Sequence, residues 1–143
     1  MNYYKYRLLQ TIIVFLVILI LSLTLTRNAV AEDKIRFYKT IDTEIIRLTK
    51  EYKVDEKLVR AIISCESGKN SKAINPNYNK DGSFWSIDFS LMQINNYFHF
   101  TSMEKLGLDY YDEYDSLEYG IILLSTEGTR HWQASRTCWS KLI

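Results

Sequence analysis

Leu8 to Thr26 is an almost unbroken aliphatic run, and a chain this short has no core that could bury it. It follows a short basic start, Met1-Asn2-Tyr3-Tyr4-Lys5-Tyr6-Arg7, and precedes Ala29-Val30-Ala31, a small-x-small pattern. That order reads as an export signal cleaved after Ala31. The alternative is an uncleaved anchor, because the run is long for a secretory core and just long enough to span a bilayer. Basic residues before it and Glu32 and Asp33 after it place the N-terminus inside under either reading. The expectation is a signal peptide or anchor over 1–31 and one exported domain over 32–143, in the periplasm, envelope or extracellular space. Any membrane attachment would come through residues 8–26 alone.

The 112 residues left are enough for one domain with a modest core. Lys5, Arg7 and Arg27 leave with the signal, so 15 basic residues face 17 acidic ones, a net charge of about −2. A nucleic-acid surface would show a basic excess, which excludes that class. One Pro and five Gly in the whole chain fit a compact, mainly helical domain.

Within it, Leu58, Val59, Ile62 and Ile63 recur at helical spacing between Asp55, a natural N-cap, and Gly68, a natural stop. Glu66 falls on the same stripe, four residues after Ile62. An acid on a core-facing stripe is expensive when ionised, so a half-buried Glu66 should hold its proton to higher pH, as a general acid must. The plain alternative is a helix-end residue turned to solvent. An earlier stripe, Ile41, Ile45, Leu48 and Tyr52, predicts a helix starting near Thr40 or Asp42, after a connector over Lys34–Lys39. Asn70 to Asp88 has no helical period and predicts a loop or short hairpin. Leu91 to Phe98 predicts a helix start, and Asp115-Ser116-Leu117-Glu118 a capping box that opens a helix to about Glu127. Trp132, Cys138 and Trp139 make the tail too apolar to hang free.

Cys65 and Cys138 are the only cysteines, and in an exported domain an even count predicts a disulfide. The alternatives are buried thiols, or a zinc site with His99 and His131, for which the spacing matches no tight ligand pattern. Asn77, Asn79, Asp81 and Asp88, with Gly82 at the sixth position, have the spacing of a calcium loop. They bring only two charged ligands, and the same residues make a ready turn. No cofactor is expected. Tyr110, Tyr111, Tyr114 and Tyr119 cluster, as core and rim or as a saccharide platform.

Ala61-Ile62-Ile63-x-x-Glu66-Ser67, Ala73-Ile74-Asn75 and Ser86-x-Asp88-x-Ser90-Leu91-Met92-Gln93-Ile94-Asn95 resemble the SLT-type lytic transglycosylases, over about Ile41 to Trp139. The secretion-associated members are closest in phrasing. The resemblance implies a mainly α (α+β lysozyme-like) domain of goose-type lysozyme-like fold that cleaves peptidoglycan glycan strands, and admits an envelope-spanning secretion machine as partner. It implies that Glu66 protonates the oxygen bridging MurNAc and GlcNAc while the MurNAc acetamido group stabilises the positive charge. Glu66 then takes the C6 hydroxyl proton, which closes a 1,6-anhydro ring without water. Ser86, Gln93 and Asn95 are the candidates for holding acetamido and hydroxyl groups, with Met92 as apolar wall.

Two positions depart from the family. Ser90 stands where Gly is usual, at a point expected to open a helix near the cleft. The Ala-Tyr-Asn-x-Gly motif falls on Leu124-Ser125-Thr126-Glu127-Gly128, where only the Gly matches. A hydrolytic lysozyme with Asp88 activating water, and a wall-binding or envelope-assembly protein that has lost the chemistry, are the competing readings.

Overall fold

The computed structural model describes residues 3–38 and 40–143, with the side chains of 3–6, 8–10 and 28–38 outside the description. The chain forms two compact units that divide at residue 39. The first is a single helix, α1 (Tyr3–Tyr38). Lys34–Tyr38, expected as connector, continues this helix, since neither Pro nor Gly interrupts it. Lys39, the last connector residue, and the side chains of the Ala29–Ala31 cleavage pattern lie outside the described residues. From Ile12 to Leu25 its aliphatic side chains are all exposed. The hydroxyls of Ser22, Thr24 and Thr26 bond back to carbonyls one turn earlier, so they need no other partner. Among the described residues no helix is long and apolar enough to cross a membrane.

The second unit is mostly helical with one small sheet. Helix α2 (Ile41–Tyr52) begins in a capping box between Thr40 and Thr43, and α3 (Glu56–Glu66) begins with the Asp55 side chain accepting from Lys57 N at 2.8 Å. The hairpin expected between the motifs is present: β1 (Ile74–Tyr78) pairs antiparallel with β2 (Phe84–Phe89). A two-residue strand, β3 (Ile94–Asn95), adds to the other edge of β2, giving the order β1-β2-β3. Then come α4 (Asn96–Lys105), α5 (Glu113–Glu127), a 3₁₀ turn (Gly128–Trp132) and the one-turn α6 (Arg136–Trp139).

Two helix starts differ from expectation. No helix begins at Leu91, because Ser90 and Gln93 both take positive φ (67° and 53°) and fold the chain into a turn. Helix α4 starts only after Asn95, whose side chain caps it by accepting from Tyr97 N. Helix α5 starts three residues before the expected box. Asp112, not Asp115, is the N-cap and accepts from the backbone N of Tyr114 and Asp115. The Asp115 carboxylate is occupied by Asp109 N at 2.9 Å.

The core is the shared apolar face of these elements. Leu48 from α2, Val59 and Ile62 from α3, Leu91 from the turn after β2 and Leu117 and Ile121 from α5 are essentially inaccessible to solvent. Gly120 on α5 is a close-approach position: a Cβ there would meet Met92 Sδ at 2.5 Å. The tail closes this core. Trp132 Nε1 donates to Met92 O and Trp139 Nε1 to Trp132 O, each at 2.9 Å, and both rings are buried.

Candidate active site

Glu66 is the last residue of α3. The apolar stripe that packs α3 into the core leaves it in the lining of a cleft of about 350 Å³. The cleft is lined on one side by Asp88, Gln93 and Asn95 from the sheet region, and on the other by Leu123, His131, Trp132 and Ala134 from α5 and the tail. Phe98 and His99 of α4 line it as well, and with His131 and Leu123 they continue into a second hollow of about 500 Å³. That hollow reaches Ser102, Tyr119, Glu127 and Arg130.

The Glu66 carboxyl is half-buried, and burial pushes its pKa above the ordinary glutamate value. The Ser135 hydroxyl opposes this by donating to Oε1 at 2.5 Å, and the nearby Asp88 charge adds to the rise. Trp132 O lies 3.2 Å from the same hydroxyl. The Cys65–Cys138 disulfide brings Ser135 there: it ties the end of α3 to α6, with the two Cα atoms 6.0 Å apart. It also removes both thiols from any zinc site, because a bridged sulfur cannot act as thiolate ligand.

Asp88 is fixed from both neighbouring strands. Asn95 Nδ2 on β3 donates to Oδ1 at 2.7 Å and Asn77 Nδ2 on β1 to Oδ2 at 3.0 Å. The same two amides donate to Ser86 Oγ, at 2.9 and 3.2 Å. Ser86 and Asp88 are two apart on β2 and so face the same side, which produces this polar ladder.

Two expected substrate contacts are thereby corrected. Ser86 is fully buried beneath the cleft, where its hydroxyl locks the two amides. Met92 is in the core against Gly120, turned inward by the same turn that puts Gln93 at the surface. Gln93 and Asn95 do line the cleft, but their amides serve the fold. Gln93 Nε2 donates to Ser90 O at 2.7 Å and its Oε1 accepts from Asn75 Nδ2, while Asn95 caps α4 and holds Asp88. The calcium spacing is likewise absorbed by the hairpin. Asp81 ties the turn through Ser83, which Asn79 also holds, and Asn77 and Asp88 bond each other across the sheet. Ser90 opens no helix: it is buried, left-handed in φ, and its hydroxyl has no partner among the described residues.

Of the tyrosines, Tyr110 is core, its hydroxyl donating to Ile94 O at 2.8 Å. Tyr119 is buried with its hydroxyl 3.1 Å from His99 Nδ1. Burial, with the neighbouring His131, holds His99 below the usual histidine pKa, which favours its neutral form. Sequence reasoning missed Ser135. The available signal was the predicted disulfide: it places a residue three before Cys138 beside a residue one after Cys65.

The sequence model of the Transglycosylase SLT domain matches residues 44–127, more than half of the chain. This chain belongs to the SLT transglycosylase family. No curated protein and no solved structure matches it. The helical domain with its three-stranded sheet is the α+β lysozyme-like architecture of that family, whose members are lytic transglycosylases acting on peptidoglycan. The match holds Glu66 and the whole Asp88 ladder and stops at the end of α5. Ser135, Trp132, Trp139 and Cys138 all lie beyond it, so the SLT domain here receives the hydroxyl on Glu66 from its own tail.

Proposed function

We propose that this SLT domain cleaves the bond between MurNAc and GlcNAc in peptidoglycan without water, leaving a 1,6-anhydro end, with Glu66 as both acid and base. The observation that carries the reading is the half-buried Glu66 carboxyl, its pKa raised by burial, lining a cleft of about 350 Å³. Protonated Glu66 gives its proton to the bridging oxygen as the C1–O bond breaks. The acetamido oxygen of the same MurNAc bonds to C1 and takes up the positive charge. The Glu66 carboxylate then accepts the C6 hydroxyl proton while O6 displaces the acetamido oxygen from C1, which returns the enzyme to its starting form. Asp88 lines the same cleft, held by two amides, and its charge favours the positive charge that develops at C1.

Asp88 also supports a second reading. A second carboxylate lining the same cleft as the acid is the group that would activate water, and the product would then be a reducing sugar. Digestion of purified sacculi followed by mass analysis of the sugar ends separates the two. Anhydro ends support the first reading, and reducing ends overturn it in favour of hydrolysis.

The cellular part of the proposal is export, with residues 1–31 as a signal or retained anchor, and local opening of the wall, for a secretion machine among other uses. The basic start, the Ala29-Val30-Ala31 pattern and the exposed aliphatic side chains from Ile12 to Leu25 support the signal. Alkaline carbonate extraction and N-terminal sequencing of the protein from cell envelopes test it.

A further inference from the structure

The rim of the cleft carries aromatic side chains that the chemistry at Glu66 does not use. In the β1–β2 ladder Asn77 pairs with Ser86 and Tyr78 with Phe84, so Trp85 is an extra residue with no partner. A bulge of this kind bends the strand and re-aims a side chain. Trp85 is 41% exposed, and beside it stand Tyr97 and Phe98 at the start of α4, 67% and 61% exposed. The three rings form one cluster, with centroids 5.4 Å (Trp85–Tyr97), 5.7 Å (Trp85–Phe98) and 5.1 Å (Tyr97–Phe98) apart. Phe98 also belongs to the wall of the Glu66 cleft. From it the rings continue inward through His99 at 6.5 Å and then His131, 5.1 Å from His99.

Contiguous exposed aromatics mark a surface that a ligand covers. Pyranose rings present C–H-rich faces that pack on aromatic rings, and a polysaccharide repeats such a face at every residue. A lipid surface also accepts Trp and Tyr. The continuity of the cluster with the Glu66 cleft through Phe98, which belongs to both, selects the polysaccharide, since a strand lying in that cleft meets this ring.

We infer that Trp85, Tyr97 and Phe98 form a platform that holds pyranose rings of the glycan strand to one side of the bond placed at Glu66. The inference rests on the reading of the cleft given above, and the experiment separates the two. The full chain carrying Glu66→Gln binds without turning over, and is titrated with purified peptide-free glycan strands. In that background Trp85→Ala weakens binding roughly three- to tenfold, the range of an aromatic stacking contact. Trp85→Phe keeps most of the affinity. Tyr111→Ala, an exposed aromatic packed on Phe89 and Tyr110, leaves it unchanged.

Unchanged glycan affinity in folded Trp85→Ala overturns the platform, as does a parent that binds no glycan. If Trp85→Ala does not fold, Tyr97→Ala is read the same way. Loss of binding to phosphatidylglycerol vesicles with glycan binding intact overturns it in favour of a membrane surface. In the chain with Glu66 intact, cleavage of sacculi with a KM indifferent to Trp85→Ala removes the platform and keeps the chemistry. Trp85-dependent glycan binding with no cleavage removes the chemistry and keeps the platform.

Discussion

The sheet wall of the Glu66 cleft carries two amides and a carboxylate, whereas the tail wall is mostly apolar and aromatic, with a disulfide behind it. By composition the first looks like the ligand-binding side and the second like packing. Their hydrogen bonds say otherwise. The amides of Asn77, Gln93 and Asn95 are engaged within the protein, where they fix Asp88, the turn after β2 and the start of α4. The tail behind the other wall supplies, through Ser135, a hydroxyl that touches Glu66. Polar motif residues can thus be the scaffold of a site while an unremarked serine outside the family match completes it.

The most severe way to break that contrast is to remove the acid both walls converge on. Glu66→Gln keeps shape and loses the proton, so cleavage of sacculi should fall by roughly 100- to 10,000-fold. The same variant should not lose stability at neutral pH. The folded-state pKa of Glu66 lies above its unfolded value, so its protonated form contributes stability that is full below the unfolded pKa. That contribution is lost as pH rises through the folded pKa. Glutamine has no such loss, so urea midpoints of the variant should gain on the parent across that window and stay ahead above it.

Cutting the tail loose comes next. Cys138→Ser opens a cross-link between residues 73 apart and should cost about 4 kcal/mol of stability. Because Ser135 depends on that link for its place, specific activity per folded molecule should fall too. Activity measured beside circular dichroism on one sample decides, and activity that merely tracks the folded fraction would leave the bridge as a global staple.

A finer cut is Ser135→Ala, expected to lower turnover roughly ten- to a hundredfold, the worth of a hydrogen bond to a charged group. It removes the bond that pulls the Glu66 pKa down, so the limb of the pH–rate profile where activity falls with rising pH should move to higher pH. Ser135→Thr should restore both. A purely structural serine would leave the profile where it was.

The smallest effect belongs to the turn after β2. Ser90→Gly relieves a left-handed φ and an unpartnered buried hydroxyl, and should raise stability by about 1 kcal/mol in denaturant titrations.

Much of this was legible in the chain because its causes are local. The caps of α2 and α3, the stripe that carries Glu66 and the turn at Asn79–Ser83 depend on residues within one or two turns of each other. The rest depends on distant partners. Asp112 and Asp115 are both good caps by type, and Asp109 N decides between them by occupying Asp115. Ser86 falls inside the protein because Asn77 and Asn95 close on it from both neighbouring strands, and Met92 because its turn packs on Gly120 of α5. No periodicity in ten residues records that. Trp85 points to the rim only because β2 has one residue more than β1 opposite it.

One oxygen atom at the junction of the two walls has a further consequence. Ser135 Oγ has a single proton and two acceptors in reach, Glu66 Oε1 and Trp132 O, the latter carbonyl also held by Trp139 Nε1. A hydroxyl donates and accepts at once. When Glu66 is ionised, the Ser135 proton points at it. When Glu66 is protonated, it can donate to Oγ, and the Ser135 proton swings to Trp132 O. Each charge state of the acid then meets a complementary partner, and the two differ by rotation about one C–O bond. An acid that must release a proton and take one back within a single turnover has, in this rotor, a neighbour that reverses with it.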